Sequence, residues 1–229
     1  MKDKGLIVLG GVGLLIALLV LWLLLRPAPG SSTTILPEVT LVANGRSLYT
    51  LLPTESEARF TLNELLRGQP TTVVGRTRQV SGEIALTLDD LSTAEISPLQ
   101  IAASTLATDN NLRNSAINTY ILYTDRYPTI TFTPTDIAGL PAQAAVGAPL
   151  SFTVTGDLTI IGISREVMFD VTAVAETPTR ISGTAQATIH RSDWELTIPN
   201  VRGVASVDED VLLELDFTAV STDTVVSPN

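Results

Sequence analysis

The chain has 229 residues, enough for one sizeable domain with an appended segment and too few for two ordinary domains. Its formal net charge of −10 argues against a nucleic-acid partner, which needs a basic face, and against electrostatic attachment to anionic lipid headgroups. The absence of cysteine excludes disulfides, thiol catalysis, thiolate metal ligands and lipidation at a cysteine.

Residues 5–25 form an uncharged apolar run that spans roughly 30 Å as a helix, the thickness of a hydrocarbon core. The apolar region of a cleaved signal peptide is shorter, about 7–15 residues, and ends at a small-residue cleavage site. We therefore predict a transmembrane anchor, with a cleaved signal peptide as the alternative. Lys2 and Lys4 outweigh Arg26, which predicts a cytoplasmic tail at residues 1–4 and a single-pass membrane protein whose remainder is extracytoplasmic.

Residues 26–46 are rich in Pro, Gly, Ser and Thr and show no clear period, so they predict a linker between the anchor and a folded domain. The folded domain is predicted to span residues 47–221. Residues 222–229 are predicted to form a C-terminal tail.

The folded domain shows alternating apolar and polar residues, which predict strands with one buried face. Residues 151–160, 166–174, 181–191 and 210–220 follow this pattern most clearly. About eight such strands joined by hairpins predict an antiparallel sandwich or a closed barrel, and the longest strands favour the barrel.

The interior of such a barrel is either filled by its own side chains or holds one small ligand. Several inward positions are small, and this observation alone fits both outcomes. They are Ala58, Gly156, Ala173, Gly183, Ala185 and Ala187.

A polar, asparagine-rich segment interrupts the strand pattern at residues 108–132, the helical insert. Thr108 or Asp109 is predicted to cap the start of its helix. We expect the helix to cover an end or flank of the barrel, with Tyr120 and Tyr127 closing the apolar interior against water.

The sequence shows no catalytic machinery, because nucleophile-elbow, phosphate-loop and dinucleotide motifs are all absent. The single histidine, His190, lies on the polar face of its strand, which predicts an exposed imidazole. Residues 208–210 are acidic but lack calcium-loop spacing, so they predict a solvated turn. We therefore expect neither an enzyme nor a metal or cofactor site. Arg191 and Asp193 predict a structural ion pair at the barrel rim.

Five ordered segments carry a family resemblance: SEARFTLNELLRG, VVGRTRQVSGEIAL, LATDNNLRNSAINTYILYTDRYPTITF, VTGDLTIIGISREVMFDV and IHRSDWEL. Together they resemble the YceI-like family, the lipocalin-like polyisoprenoid-binding domain, over roughly residues 47–220. The matching residues are Ser56, Phe60, Gly75, Gly82, Thr108, Asp109, Asn110, Leu112, Arg113, Tyr127, Pro128, Ile130, Phe132, Gly156, Asp157, Leu158, Thr159, Gly162, Arg165, Arg191, Ser192 and Asp193. The sequence departs from the family pattern at Asn114, Ile161 and Glu195.

The resemblance implies an all-β fold, an extended eight-stranded antiparallel lipocalin-like barrel with a short helical insert, whose lumen takes a long isoprenoid or fatty chain. It implies that the only bound molecule is such a hydrophobic lipid. The lumen candidates are Phe60, Leu62, Phe132, Phe152, Leu158, Ile160, Phe169 and Tyr120. The structural motif residues are Arg113, Asp157, Arg191 and Asp193.

Two functions follow from these expectations. The first is a membrane-anchored lipid-binding protein that sequesters or carries its ligand near the bilayer, where an anchor keeps the binding site concentrated. The alternative is a ligand-free, filled barrel that binds a protein or glycan at the cell surface. Nothing in the sequence indicates an oligomeric state.

Overall fold

The computed structural model describes residues 40–200 and 204–221. The predicted cytoplasmic tail, transmembrane anchor and C-terminal tail, with most of the predicted linker, lie outside the described residues. No helix within the described ranges has both the length and the apolar character needed to cross a membrane.

The described residues form thirteen β-strands in one sheet, together with one short α-helix. The helix α1 (Asn111–Ala116) continues directly as a π-helix, Ile117–Ile121. The strands are β1 (Ser47–Leu51), β2 (Glu57–Leu66), β3 (Gln69–Thr77), β4 (Val80–Ser81), β5 (Glu83–Thr87), β6 (Asp90–Ile96), β7 (Leu99–Ala102), β8 (Thr129–Ala138), β9 (Pro149–Ile160), β10 (Ile163–Thr177), β11 (Arg180–His190), β12 (Val204–Val207) and β13 (Asp210–Ser221).

The sheet is antiparallel and strongly curled. The strands β7, β8, β9, β10, β11 and β13 are consecutive neighbours. On the side away from β11, β13 pairs with two strands: Leu212–Asp216 pair with β2, and Ala219–Ser221 pair with β1. One continuous sheet excludes a sandwich of two stacked layers, and the curled antiparallel arrangement agrees with the predicted lipocalin-like fold.

The structure has more strands than the eight predicted, because some of the predicted long strands are interrupted. β6 and β7 are separated by Ser97 and Pro98, and proline has no N–H to donate to a strand ladder. Between β3 and β4, the Val80 N–H donates to the Arg78 carbonyl oxygen in a local turn at 2.9 Å.

The core lies on the inner face of the curl, as the period-two pattern predicts. In β9, Val154, Leu158 and Ile160 are buried, while Asp157 between them is exposed. Trp194, in a short 3₁₀-helix after β11, is almost completely buried, and its Nε1–H donates to the Leu158 carbonyl oxygen at 3.1 Å.

Candidate functional site

The inner face of the sheet borders a cavity of about 780 Å³. Small-molecule pockets in proteins typically measure about 300–1,000 Å³. Most of the lining side chains are aliphatic or aromatic, and many of them, including Phe60, Phe152 and Phe169, are only half-buried because they face the void. The interior therefore has room that its own side chains do not fill.

Most of the predicted lumen residues line this cavity. The alternation along each strand brings them together, because side chains two residues apart point to the same face. The rings of Phe132 and Phe169 meet edge to face with centroids 4.9 Å apart. The predicted residues that line the cavity are Phe60, Leu62, Phe132, Phe152, Leu158, Ile160 and Phe169.

Tyr120 does not line the cavity, contrary to the prediction, and is 59% exposed. The cause is the π-helix, in which the Leu122 N–H donates to the Ile117 carbonyl oxygen five residues earlier. This wider turn brings Ile117 and Ile121 to the cavity wall in place of Tyr120. Tyr127 is also absent from the lining, and its ring lies beside Gly162.

The helix α1 is capped by Asn110, and not by Thr108 or Asp109 as predicted. Its side-chain oxygen accepts hydrogen bonds from the Leu112 and Arg113 N–H groups at 2.9 and 3.2 Å. Thr108 is engaged elsewhere, because both its hydroxyl and its N–H donate to Asn114 Oδ1 at 2.7 Å.

Arg113 joins the helical insert to the sheet. Its Nη2 donates to Glu64 Oε1 at 2.7 Å, and its Nη1 donates to Asp109 Oδ1 at 2.6 Å. The Glu64 side chain is 8% exposed, and it lies on the same face of β2 as Phe60 and Leu62. Glu64 thus adds a buried carboxylate to an otherwise apolar strand face.

The predicted Arg191–Asp193 pair is wrong. Arg191 instead contacts Glu209, with Nη2 2.9 Å from Oε2, and donates to the Leu196 carbonyl oxygen. The 3₁₀-helix that begins at Arg191 carries Asp193 outward, where it is exposed. Asp157 is likewise exposed on the outer face of β9.

The strand prediction missed two features that shape the interior. Trp194 is one of the largest fully buried side chains, and the only sequence signal was its place in the IHRSDWEL segment. Gly156 and Gly183, predicted simply as small inward residues, make space for rings. A Cβ at these positions would lie 2.8 Å from Phe132 Cζ and 2.7 Å from Phe217 Cζ.

Polar side chains are few along the cavity wall. His190 is not among them: it is exposed as predicted, and its Nδ1 lies 2.7 Å from Asp210 Oδ1. In the part of the chain that the structure describes, no three His, Asp or Glu side chains are close enough together to hold a metal ion.

Comparison with protein families matches residues 49–219 to the YceI-like domain. The chain belongs to the YceI-like family. The match covers all but the ends of the YceI-like fold described above, and it confirms the resemblance seen in the sequence segments. None of the curated proteins matches this YceI-like chain.

Solved structures with the same YceI-like fold come from several bacteria. A polyisoprenoid binding domain from Saccharophagus degradans superposes with a TM-score of 0.58 at 20% identity, over 76% of this chain and 98% of that one. BcnA from Burkholderia cenocepacia superposes with a TM-score of 0.59 at 20% identity, over 74% and 99%. The YCEI protein of Campylobacter jejuni gives 0.50 at 20% identity, over 63% and 82%.

Proposed function

We propose that this protein is a membrane-anchored, extracytoplasmic lipid-binding protein that sequesters or carries a long-chain isoprenoid or fatty ligand in its cavity. The observation that carries the proposal is the apolar cavity of about 780 Å³ on the inner face of the sheet. Burying some 300 Å² of hydrocarbon at about 25 cal/mol per Å² contributes roughly 7 kcal/mol before the costs of association. Useful affinity therefore requires few polar contacts.

The pairing pattern supports a closed barrel around this ligand. β2 pairs with both β13 and β3, and β4, which follows β3 after two residues, pairs with β7. From β7 the neighbours run through β8, β9, β10 and β11 back to β13. With β3 and β4 taken as one strand, this ring has eight members, a number at which the interior of a barrel is either filled by side chains or holds one small ligand.

The anchor and the extracytoplasmic location rest on the apolar run at residues 5–25 and on Lys2 and Lys4. The chemical class of the ligand rests on the cavity wall and on the Saccharophagus degradans relative, which is described as a polyisoprenoid binding domain. We propose a binding role without catalysis. The alternative interaction module requires a filled interior, and the cavity speaks against it.

The proposal predicts that filling the cavity displaces the lipid. Ala185 lines the cavity from β11, and Thr184 next to it is exposed on the outer face. We expect Ala185→Phe to lose most of the co-purified lipid, because the added ring occupies space that the hydrocarbon needs. Thr184→Phe adds the same ring outside and should retain the lipid of the wild type.

The measurement is mass spectrometry of lipids extracted from the purified full chain and both variants, after exchange into an amphipathic polymer. Circular dichroism checks that all three proteins are folded. Wild-type protein without isoprenoid or fatty lipid would overturn the proposal, and so would an Ala185→Phe variant that carries as much lipid as the wild type.

A further inference from the structure

One charged side chain faces the cavity from a position that the strand pattern reserves for apolar residues. Glu64 lies on the inner face of β2 with Ala58, Phe60 and Leu62, and all four line the cavity. Its Oε1 accepts from Arg113, whereas its second oxygen has no hydrogen-bond partner among the described residues. A carboxylate in a poorly hydrated site gains free energy from a hydrogen-bond donor and loses it beside another anion.

The positive charge of Arg113 does not neutralise an anionic ligand placed beside Glu64. Arg113 already contacts Glu64 at 2.7 Å and Asp109 at 2.6 Å, so one positive charge lies between two negative ones. An anionic lipid headgroup at this point would add a third negative charge. Repulsion between like charges is stronger where the dielectric constant is low, so this third charge is disfavoured more beside the buried carboxylate than it would be in water.

The other arginines that border the cavity in the described ranges do not change this balance. Arg59 pairs with Asp216 and lies near Glu214, and Arg191 pairs with Glu209. Arg67 is exposed at the β2–β3 turn, where water screens its charge. At Glu64 the wall thus presents a hydrogen-bond acceptor, and the arginine in contact with it is already paired with two carboxylates.

We propose that the cavity selects lipids whose polar end is an uncharged hydrogen-bond donor, such as a prenyl alcohol, and rejects lipids that end in a phosphate, a diphosphate or a carboxylate. Glu64 is the residue that determines this preference, because its unpaired oxygen accepts from a hydroxyl and repels an anion. This inference rests on the proposed lipid-binding function and specifies the ligand's polar end.

The test compares two probes that share one hydrocarbon chain, geranylgeraniol and geranylgeranyl diphosphate. Both compete against a fluorescent apolar probe on the full chain in an amphipathic polymer, after endogenous lipid has been removed. For the wild type we expect geranylgeraniol to bind at least about tenfold more tightly. Glu64→Gln removes the negative charge, keeps an acceptor for Arg113, and should reduce that ratio by about tenfold.

Glu57→Gln is the matched control, because Glu57 lies on β2 seven residues earlier, on the opposite face, near Arg59 and Arg76. It should keep the wild-type ratio. Equal or tighter binding of the diphosphate by the wild type overturns the inference, and so does an unchanged ratio in Glu64→Gln. Failure of both probes to bind the wild type instead overturns the proposed function itself. The relative affinities of the two probes for the wild type test the inference even if Glu64→Gln does not fold.

Discussion

Gly156 shows how a single residue controls packing on the inner face of the sheet. Phe132 on β8 lies over this glycine, and the β8 backbone also runs close to it. A Cβ at Gly156 would lie 2.4 Å from the Thr133 carbonyl oxygen and 2.8 Å from Pro134 Cα. Neither backbone atom moves without disturbing the β8–β9 ladder, so only glycine fits here.

We expect Gly156→Ala to lower the free energy of unfolding by about 1–3 kcal/mol, the usual cost of overpacking. Asp157→Ala, at the next residue on the exposed outer face, should change it by less than about 0.5 kcal/mol. Urea denaturation followed by circular dichroism measures both. An equal loss in the two variants would show that Asp157 has a structural role that its exposed position does not explain.

The helical insert is the element in which the sequence was least informative. α1 is only six residues long and buries no residue of its own, so its position depends on the Asn110 cap, the Arg113 ion pairs and the π-helix that follows. Short isolated helices are unstable in water. Tertiary contacts therefore determine the path of this segment.

Removing the cap should loosen α1 without unfolding the sheet. We expect Asn110→Ala to reduce the local stability of the helix by about 1 kcal/mol, because two N–H groups lose their acceptor. Hydrogen exchange at the Ser115 and Ala116 amides should accelerate about fivefold, while exchange in β9 stays unchanged. Asn111→Ala, at the exposed first helical residue, is the control. Unchanged exchange in Asn110→Ala would contradict the assigned cap.

The contrast between strands and insert explains what could be predicted from the sequence. Along a strand a side chain has only two directions, so alternation alone brought Phe152, Leu158 and Ile160 to the cavity. The inward direction of Glu64 could have been found in the same way, since it shares the parity of Phe60 and Leu62. Its partner Arg113 could not, because that contact depends on the path of the insert. The exposed position of Tyr120 could not be predicted either, because nothing in the sequence indicated that the helix would continue as a π-helix.

The stability of the whole molecule should depend on pH through one carboxylate, Glu209, which lies between β12 and β13. Glu209 accepts from the Ser192 N–H at 2.8 Å and contacts Arg191. Hydrogen bonds from the Ser192 side chain and backbone lower the pKa of Glu209, and the Arg191 charge lowers it further. Because this pKa is lower in the folded state, the ionised carboxylate stabilises the fold above the unfolded pKa, and the stabilisation disappears as the pH falls through the folded one.

Wild-type protein should therefore be more stable than Glu209→Gln at pH 7, and the difference should disappear as the pH falls from about 5 towards 2. The urea denaturation midpoints of the two proteins at several pH values measure this difference in stability. Glu166→Gln, on the exposed outer face of β10, should show no comparable gap. A Glu209 gap that persists at the lowest pH would contradict the assigned contact.

The position of β13 has a consequence for the order in which the molecule assembles. This strand is the last that the structure describes, and it pairs with β11 on one side and with β2 and β1 on the other, so that Leu215 lies opposite Ala58. Pairing strands so far apart in the sequence costs loop-closure entropy before any contact compensates it, and such non-local contacts slow folding. During synthesis, residues 47–66 remain without these partners until residue 221 has left the ribosome. Their unpaired edges and apolar faces are exposed during that interval, and we expect them to be prone to aggregation until β13 pairs with them.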